Sequence, residues 1–82
     1  MNAVVTSRIQ KLPGVLGGDA RVRDTRVAVW MLVRARQLGL TDDDLRDRYP
    51  VPLTDDDLTA AWAYYAWNRD EIEAAIRRNE GA

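Results

Sequence analysis

The sequence predicts a mainly α fold: a compact four-helix domain with a helix-turn-helix-like unit, preceded by short N-terminal β-strands or a hairpin. Three observations predict it. The hexamer Leu-Thr-Asp-Asp-Asp-Leu occurs twice, at residues 40–45 and 53–58, and each copy has the form of a helix start. Gly39 and the run Tyr49-Pro50-Val51-Pro52 punctuate the chain at helix-length intervals. Period-two alternation is confined to residues 20–27. At 82 residues, 46% apolar and 30% charged, the chain reads as one globular domain over 1–82, with 1–27 a strand or hairpin arm and 28–79 a helical bundle.

The arm comes first. Residues 4–12 contain β-branched side chains and suit a strand or a loose arm. Pro13-Gly14 marks a turn and Gly17-Gly18 a second flexible point. Residues 20–27 alternate short apolar and long cationic side chains around Asp24-Thr25, which predicts a tight hairpin with Val22 and Val27 inward. Asp24 can tolerate the left-handed conformation that some hairpin turns require, though less easily than glycine. Arg21 and Arg23 would project from one face and concentrate positive charge.

A first helix is predicted from Ala28 or Val29 to Leu38, stopped by Gly39, with Ala28, Met31, Leu32, Ala35 and Leu38 on one stripe and Trp30, Arg34 and Gln37 opposite. In each acidic hexamer the threonine is the N-cap and the third aspartate sits at N3 of a capping box. The flanking leucines have hydrophobic-staple spacing. Capping accounts for every position, and the glycine and ligand spacing of a calcium loop are missing. The second helix is expected over about 42–48 and the third over about 55–67, joined by a proline-enforced extended turn. A break near Asn68-Arg69 and a last helix over about 70–79 follow.

The third helix is unusual. Leu58, Ala61, Trp62, Tyr65 and Ala66 form one apolar face, and Ala60, Ala63, Tyr64 and Trp67 cover most of the other. A helix apolar nearly all round needs burial on several sides. A homodimer or a protein partner would supply it, since Tyr and Trp are enriched at such surfaces. Alternatively, the first and last helices sandwich it within one chain.

Composition excludes much chemistry. Without cysteine or histidine there is no disulfide, no Ser-His or Cys-His nucleophile and no ordinary zinc site, so no cofactor is expected. The longest apolar run, residues 27–33, is far short of the roughly 20 that span a bilayer, and Arg8 and Lys11 interrupt any signal-peptide core. A non-catalytic cytoplasmic binding protein is the expectation. Charge is divided: seven basic against two acidic residues in 1–39, and five against eleven in 40–82. Eleven of the twelve basic residues are arginine, which suits bidentate contacts to phosphate or carboxylate; solvated surface arginines are the plainer reading.

Gly17-Gly18, Val22, residues 25–30 (Thr-Arg-Val-Ala-Val-Trp), Leu38-Gly39-Leu40-Thr41 with Asp43-Asp44-Leu45, Tyr49-Pro50, Leu53-Thr54 with Asp56-Asp57-Leu58, and residues 60–65 (Ala-Ala-Trp-Ala-Tyr-Tyr) stand in an order and spacing that resembles the domain-of-unknown-function 433 family over about residues 8–75. The resemblance implies a homeodomain-like fold preceded by short strands. It also implies a VapB-type antitoxin role, in which the protein binds a PIN-like ribonuclease toxin and its own operator DNA. The chain departs from the family pattern at Asp19-Ala20 (usually lysine-proline), Asp24 (usually glycine) and Ala28 (usually proline).

On that reading Arg21, Arg23, Arg26 and Arg34 are candidate DNA contacts. Trp30, Trp62, Tyr64, Tyr65, Trp67, Arg77 and Arg78 are candidate partner or dimer contacts, with Arg77 and Arg78 suited to the carboxylates of a nuclease. Asp55, Asp56 and Asp57 open the helix in the recognition position and would be repelled by phosphate, which places any DNA contact on the arm or the first helix. The alternative is an interaction or oligomerisation module that never touches nucleic acid.

Overall fold

The structure, a computed structural model, describes residues 8–80. Strand β1 (Ile9–Gln10) leads through a 3₁₀ turn (Leu16–Gly18) to β2 (Arg21–Val22). Four helices follow among the described residues: α1 (Val29–Gln37), α2 (Asp42–Arg48), α3 (Asp55–Trp67) and α4 (Arg69–Glu80). The predicted class and element order are those observed.

The alternating segment makes its tight turn as expected. The Val22 N–H donates to Val27 O at 2.9 Å and the Thr25 N–H to Val22 O at 3.1 Å, with Val22 and Val27 both buried. Thr25 holds the turn, its hydroxyl donating to Val22 O and accepting the Val27 N–H. The ladder partner of β2, however, is the arm: β1 pairs with it antiparallel, Ile9 opposite Val22 and Gln10 opposite Arg21. The returning segment adds a single bridge, Arg21 to Ala28. The strand expected within residues 4–12 is thus realised at Ile9–Gln10, and residues 4–7 lie outside the described residues. The left-handed position falls on Arg23 (φ +49°) rather than Asp24, an uncommon conformation for a residue with a Cβ.

Both capping boxes form. Thr41 Oγ1 accepts the Asp44 N–H at 3.2 Å while Asp44 Oδ2 accepts the Thr41 N–H at 2.9 Å; the Thr54–Asp57 pair repeats this at 3.1 and 3.0 Å. Gly39 (φ +104°) ends α1, and Asn68 separates α3 from α4 by bonding back to Tyr64 O through its backbone and side-chain N–H groups.

The core gathers one large side chain from each helix, Leu32, Leu45, Leu58 and Ile72, around Val22 of the sheet. Burial of each stabilises the fold by about 1.5–3 kcal/mol. Two faces differ from expectation. In α1 the buried residues are Val29, Leu32, Val33 and Ala35, while Leu38 is 64% exposed. Packing of α1 against both α3 and α4 turns Val33 inward, and the chain reversal at Gly39 carries Leu38 out. In α3 the buried residues are Asp57, Leu58, Ala60 and Ala61, with Trp62, Tyr64 and Tyr65 half-buried against the core. Thr59, Ala63, Ala66 and Trp67 form the exposed arc. The sequence groups Ala66 with Leu58 on one apolar face and Ala60 with Trp67 on the other; Ala60 is buried and Ala66 exposed. Helices α1 and α4, which also pack on each other, both contact α3, and this turns its buried arc toward Ala60.

Candidate interaction site

The N-terminus of α3 is the electrostatic centre of the molecule. Asp57, whose side chain is 0% exposed, accepts from Arg8 Nη1 at 2.9 Å, from Arg23 Nε and Nη2 at 2.9 and 2.8 Å, and from the Thr54 N–H. Arg8 also approaches Asp56 at 3.5 Å. The bidentate Arg23 bond holds the Asp57 carboxyl well below the usual carboxylate range, outweighing burial. The left-handed turn at Arg23 lets its guanidinium reach this carboxylate. Sequence reasoning saw Asp57 as a cap only. Its burial follows from the packing of β1 and α3, which no local pattern reveals.

In this geometry two of the candidate DNA-facing arginines have partners within the chain. Arg21 is 9% exposed, and its guanidinium donates to Thr25 O and Gln10 Oε1; Arg23 is committed to Asp57. They form no shared cationic face. Reversing Arg23 to glutamate would set two carboxylates against each other, so the fold would not be indifferent to it. Arg34 pairs with Glu80 and donates to Gln37. Arg26 is exposed and has no salt bridge among the described residues. At the other end, Arg78 binds Asp19 at 2.8 Å, while Arg77 is exposed and outside any ion pair among the described residues.

The aromatic candidates separate in the same way. Trp30 is half-buried against the core. The Tyr64 hydroxyl donates to Glu71 at 2.9 Å, and the Tyr65 hydroxyl donates to Glu73. Burial and then Glu71 push the Tyr64 phenol up from its ordinary value; the bond to Glu73 does so for Tyr65. Trp62 lies under the Arg36 guanidinium, 4.5 Å from its ring centroid. Trp67 alone of these stands clear, 88% exposed. The structure therefore brings together an exposed arc of Ala63, Ala66 and Trp67, flanked by open space at the α3–α4 junction lined by Ala66, Trp67, Asn68 and Arg69.

No helix among the described residues is long and apolar enough to cross a membrane. Among the described residues no cluster of three or more carboxylates is placed to hold a metal ion. The family model described as "Protein of unknown function (DUF433)" matches residues 9–65. The chain belongs to the DUF433 family. A crystal structure of a DUF433 member protein from Anabaena variabilis is similar, with 48% identity and a TM-score of 0.81, covering 89% of this chain and 71% of the other. No curated protein matches the chain.

Three positions singled out in the sequence take part in local contacts. Asp19 ties the loop to α4 through Arg78. Asp24 follows Arg23, which takes the left-handed position. Ala28 carries an N–H that points at Met31 Sδ, 3.4 Å away.

Proposed function

We propose that this DUF433 protein is a non-catalytic binding protein of the antitoxin type, which neutralises a PIN-like ribonuclease by covering it with the exposed arc of α3. The observation that carries the reading is Trp67, 88% exposed on a helix whose other aromatic residues are engaged within the chain. An indole presented beside small residues is the usual form of an interface anchor. Arg77, free of ion pairs among the described residues, is available to the carboxylates of such a partner. Operator binding is the secondary element of the proposal and rests on Arg26, the exposed cation of the β2 turn. A homodimer through the same arc is the other use of Trp67.

The internal engagement of Arg21 and Arg23 favours a second reading, an interaction module without nucleic-acid contact. The test is copurification with, and inhibition of, a PIN-like ribonuclease encoded beside the gene, using wild type and Trp67→Ala. It is accompanied by gel-shift titration of the upstream DNA at two salt concentrations. Loss of toxin binding in Trp67→Ala supports the proposal, and a salt-sensitive DNA complex supports its operator element. Failure of wild type to bind the nuclease ends the antitoxin reading.

A further inference from the structure

Asp57 and Arg21 are the buried charged side chains among the described residues, and only Asp57 has a countercharge. Arg21, 9% exposed, has no salt bridge among the described residues. Its guanidinium meets neutral acceptors at long range, Thr25 O at 3.3 Å and Gln10 Oε1 at 3.4 Å. The Arg21 Nε–H is buried without a hydrogen-bond partner among the described residues. A buried cation ordinarily has a countercharge, because stripping its water is costly.

A second cation stands beside it. Thr25 O, which accepts from Arg21 Nη1, belongs to the peptide that joins Thr25 to Arg26. In the register of the Arg21–Ala28 bridge, Arg26 precedes Ala28 by two residues and is the diagonal neighbour of Arg21, a separation that long side chains span. Arg26 is exposed and outside any salt bridge among the described residues. Carboxylates are few at this end of the chain, where residues 1–39 carry seven basic against two acidic side chains. Asp19 is held by Arg78, and Asp24, exposed in the same turn, acts electrostatically on Arg23. An arriving anion meets in Arg21 a cation already stripped of water, so their attraction is little screened. One bidentate fork saturates a carboxylate, whereas phosphate has a second charge and oxygens outside that plane for a second guanidinium.

We propose that Arg21 and Arg26 form a phosphate-binding site, with Arg21 as its buried floor and Arg26 reaching over the bound group from the turn. Where the phosphate belongs to a nucleic-acid backbone, the site deepens the operator element above and rests on it; a free phosphate needs no such reading. The test titrates the ¹⁵N-labelled full chain, at constant ionic strength in chloride, with inorganic phosphate, with hexathymidylate lacking terminal phosphates, and with acetate. The Nε–Hε resonances of Arg21 and Arg26 should shift together and saturate. Arg26→Gln should weaken phosphate about tenfold, the scale of one charge-assisted contact, and Asp24→Asn should tighten it. Arg21→Gln removes an uncompensated buried charge, so its urea midpoint in chloride should equal or exceed that of wild type, and phosphate should no longer raise it. Saturation by hexathymidylate assigns the phosphate to a nucleic-acid backbone, and saturation by inorganic phosphate alone assigns it to a free phosphate. Saturation by neither, acetate binding as tightly as phosphate, or an undiminished phosphate response in Arg21→Gln would each overturn the proposal. Should Arg21→Gln fail to fold, an undiminished response in Arg26→Gln overturns it alone.

Discussion

Asp57→Asn isolates the charge at the centre of the molecule. Asparagine keeps the shape of the side chain and an oxygen for the Thr54 N–H, but leaves Arg8 and Arg23 facing a neutral, buried group. Removing one partner of a buried ion pair costs about 3–5 kcal/mol. The two arginine side chains are 32% and 33% exposed, so water can reach part of each freed guanidinium. That discount, with the weakened cap, gives an expected loss of about 2–4 kcal/mol. An 82-residue domain has about 4–12 kcal/mol in total, so the variant should be close to unfolding under mild conditions. The near repeat supplies the control. Asp44 occupies the same capping-box position with an exposed carboxylate and no salt bridge among the described residues, and Asp44→Asn should cost distinctly less. Urea unfolding followed by far-ultraviolet circular dichroism measures both. Equal losses in the two variants would refute the account, because they would show that Asp57 acts as a cap and nothing more.

Other expectations follow from the same geometry. The folded Asp57 carboxyl lies below its unfolded value, so its contribution is complete above the ordinary carboxylate pKa of about 3.9 and fades as pH falls through that value toward the lower folded one; Asp57→Asn should flatten the acid limb of the stability curve. The phenols of Tyr49, Tyr64 and Tyr65 all lie above the ordinary value of about 10, so native tyrosinate absorbance should appear late. The stability they contribute should hold below about pH 10 and decline above it, as alkaline titration of folded and urea-unfolded chain would show. Trp67→Ala should leave urea stability within about 0.5 kcal/mol, since the indole is exposed, and should remove the fluorescence component most readily quenched by acrylamide. Arg26→Glu should preserve the midpoint of unfolding where Arg23→Glu lowers it; equal effects would show that the Arg23–Asp57 bond carries no stability.

Local signals were legible in the sequence, and three-dimensional company was not. Thr41, Thr54, Gly39 and the prolines announce helix ends because capping and backbone restriction act within a few residues. The turn at residues 22–27 is readable for the same reason, though nothing in the local pattern puts its left-handed position at Arg23. What failed depended on packing. Nothing near Arg23 indicates that a buried carboxylate 34 positions later will claim its guanidinium. Similarly, the wheel of α3 counts apolar residues but cannot show how α1 and α4 pack on it, covering Trp62, Tyr64 and Tyr65 in part and leaving Trp67 outside. The two acidic hexamers make the point most directly: the same six letters yield an open carboxylate at Asp44 and an enclosed one at Asp57.

The distance along the chain between Asp57 and its cations bears on the order of assembly. A ribosome releases Arg8 and Arg23 well before Asp57, so the small ribbon they belong to emerges without its anchor and both guanidinium groups remain hydrated in the meantime. Only when the second acidic hexamer has appeared and wound into a helical turn can the ribbon seat. Truncated nascent chains ending before that hexamer should therefore leave the ribbon open to protease, and chains extended past it should shield the same peptide bonds.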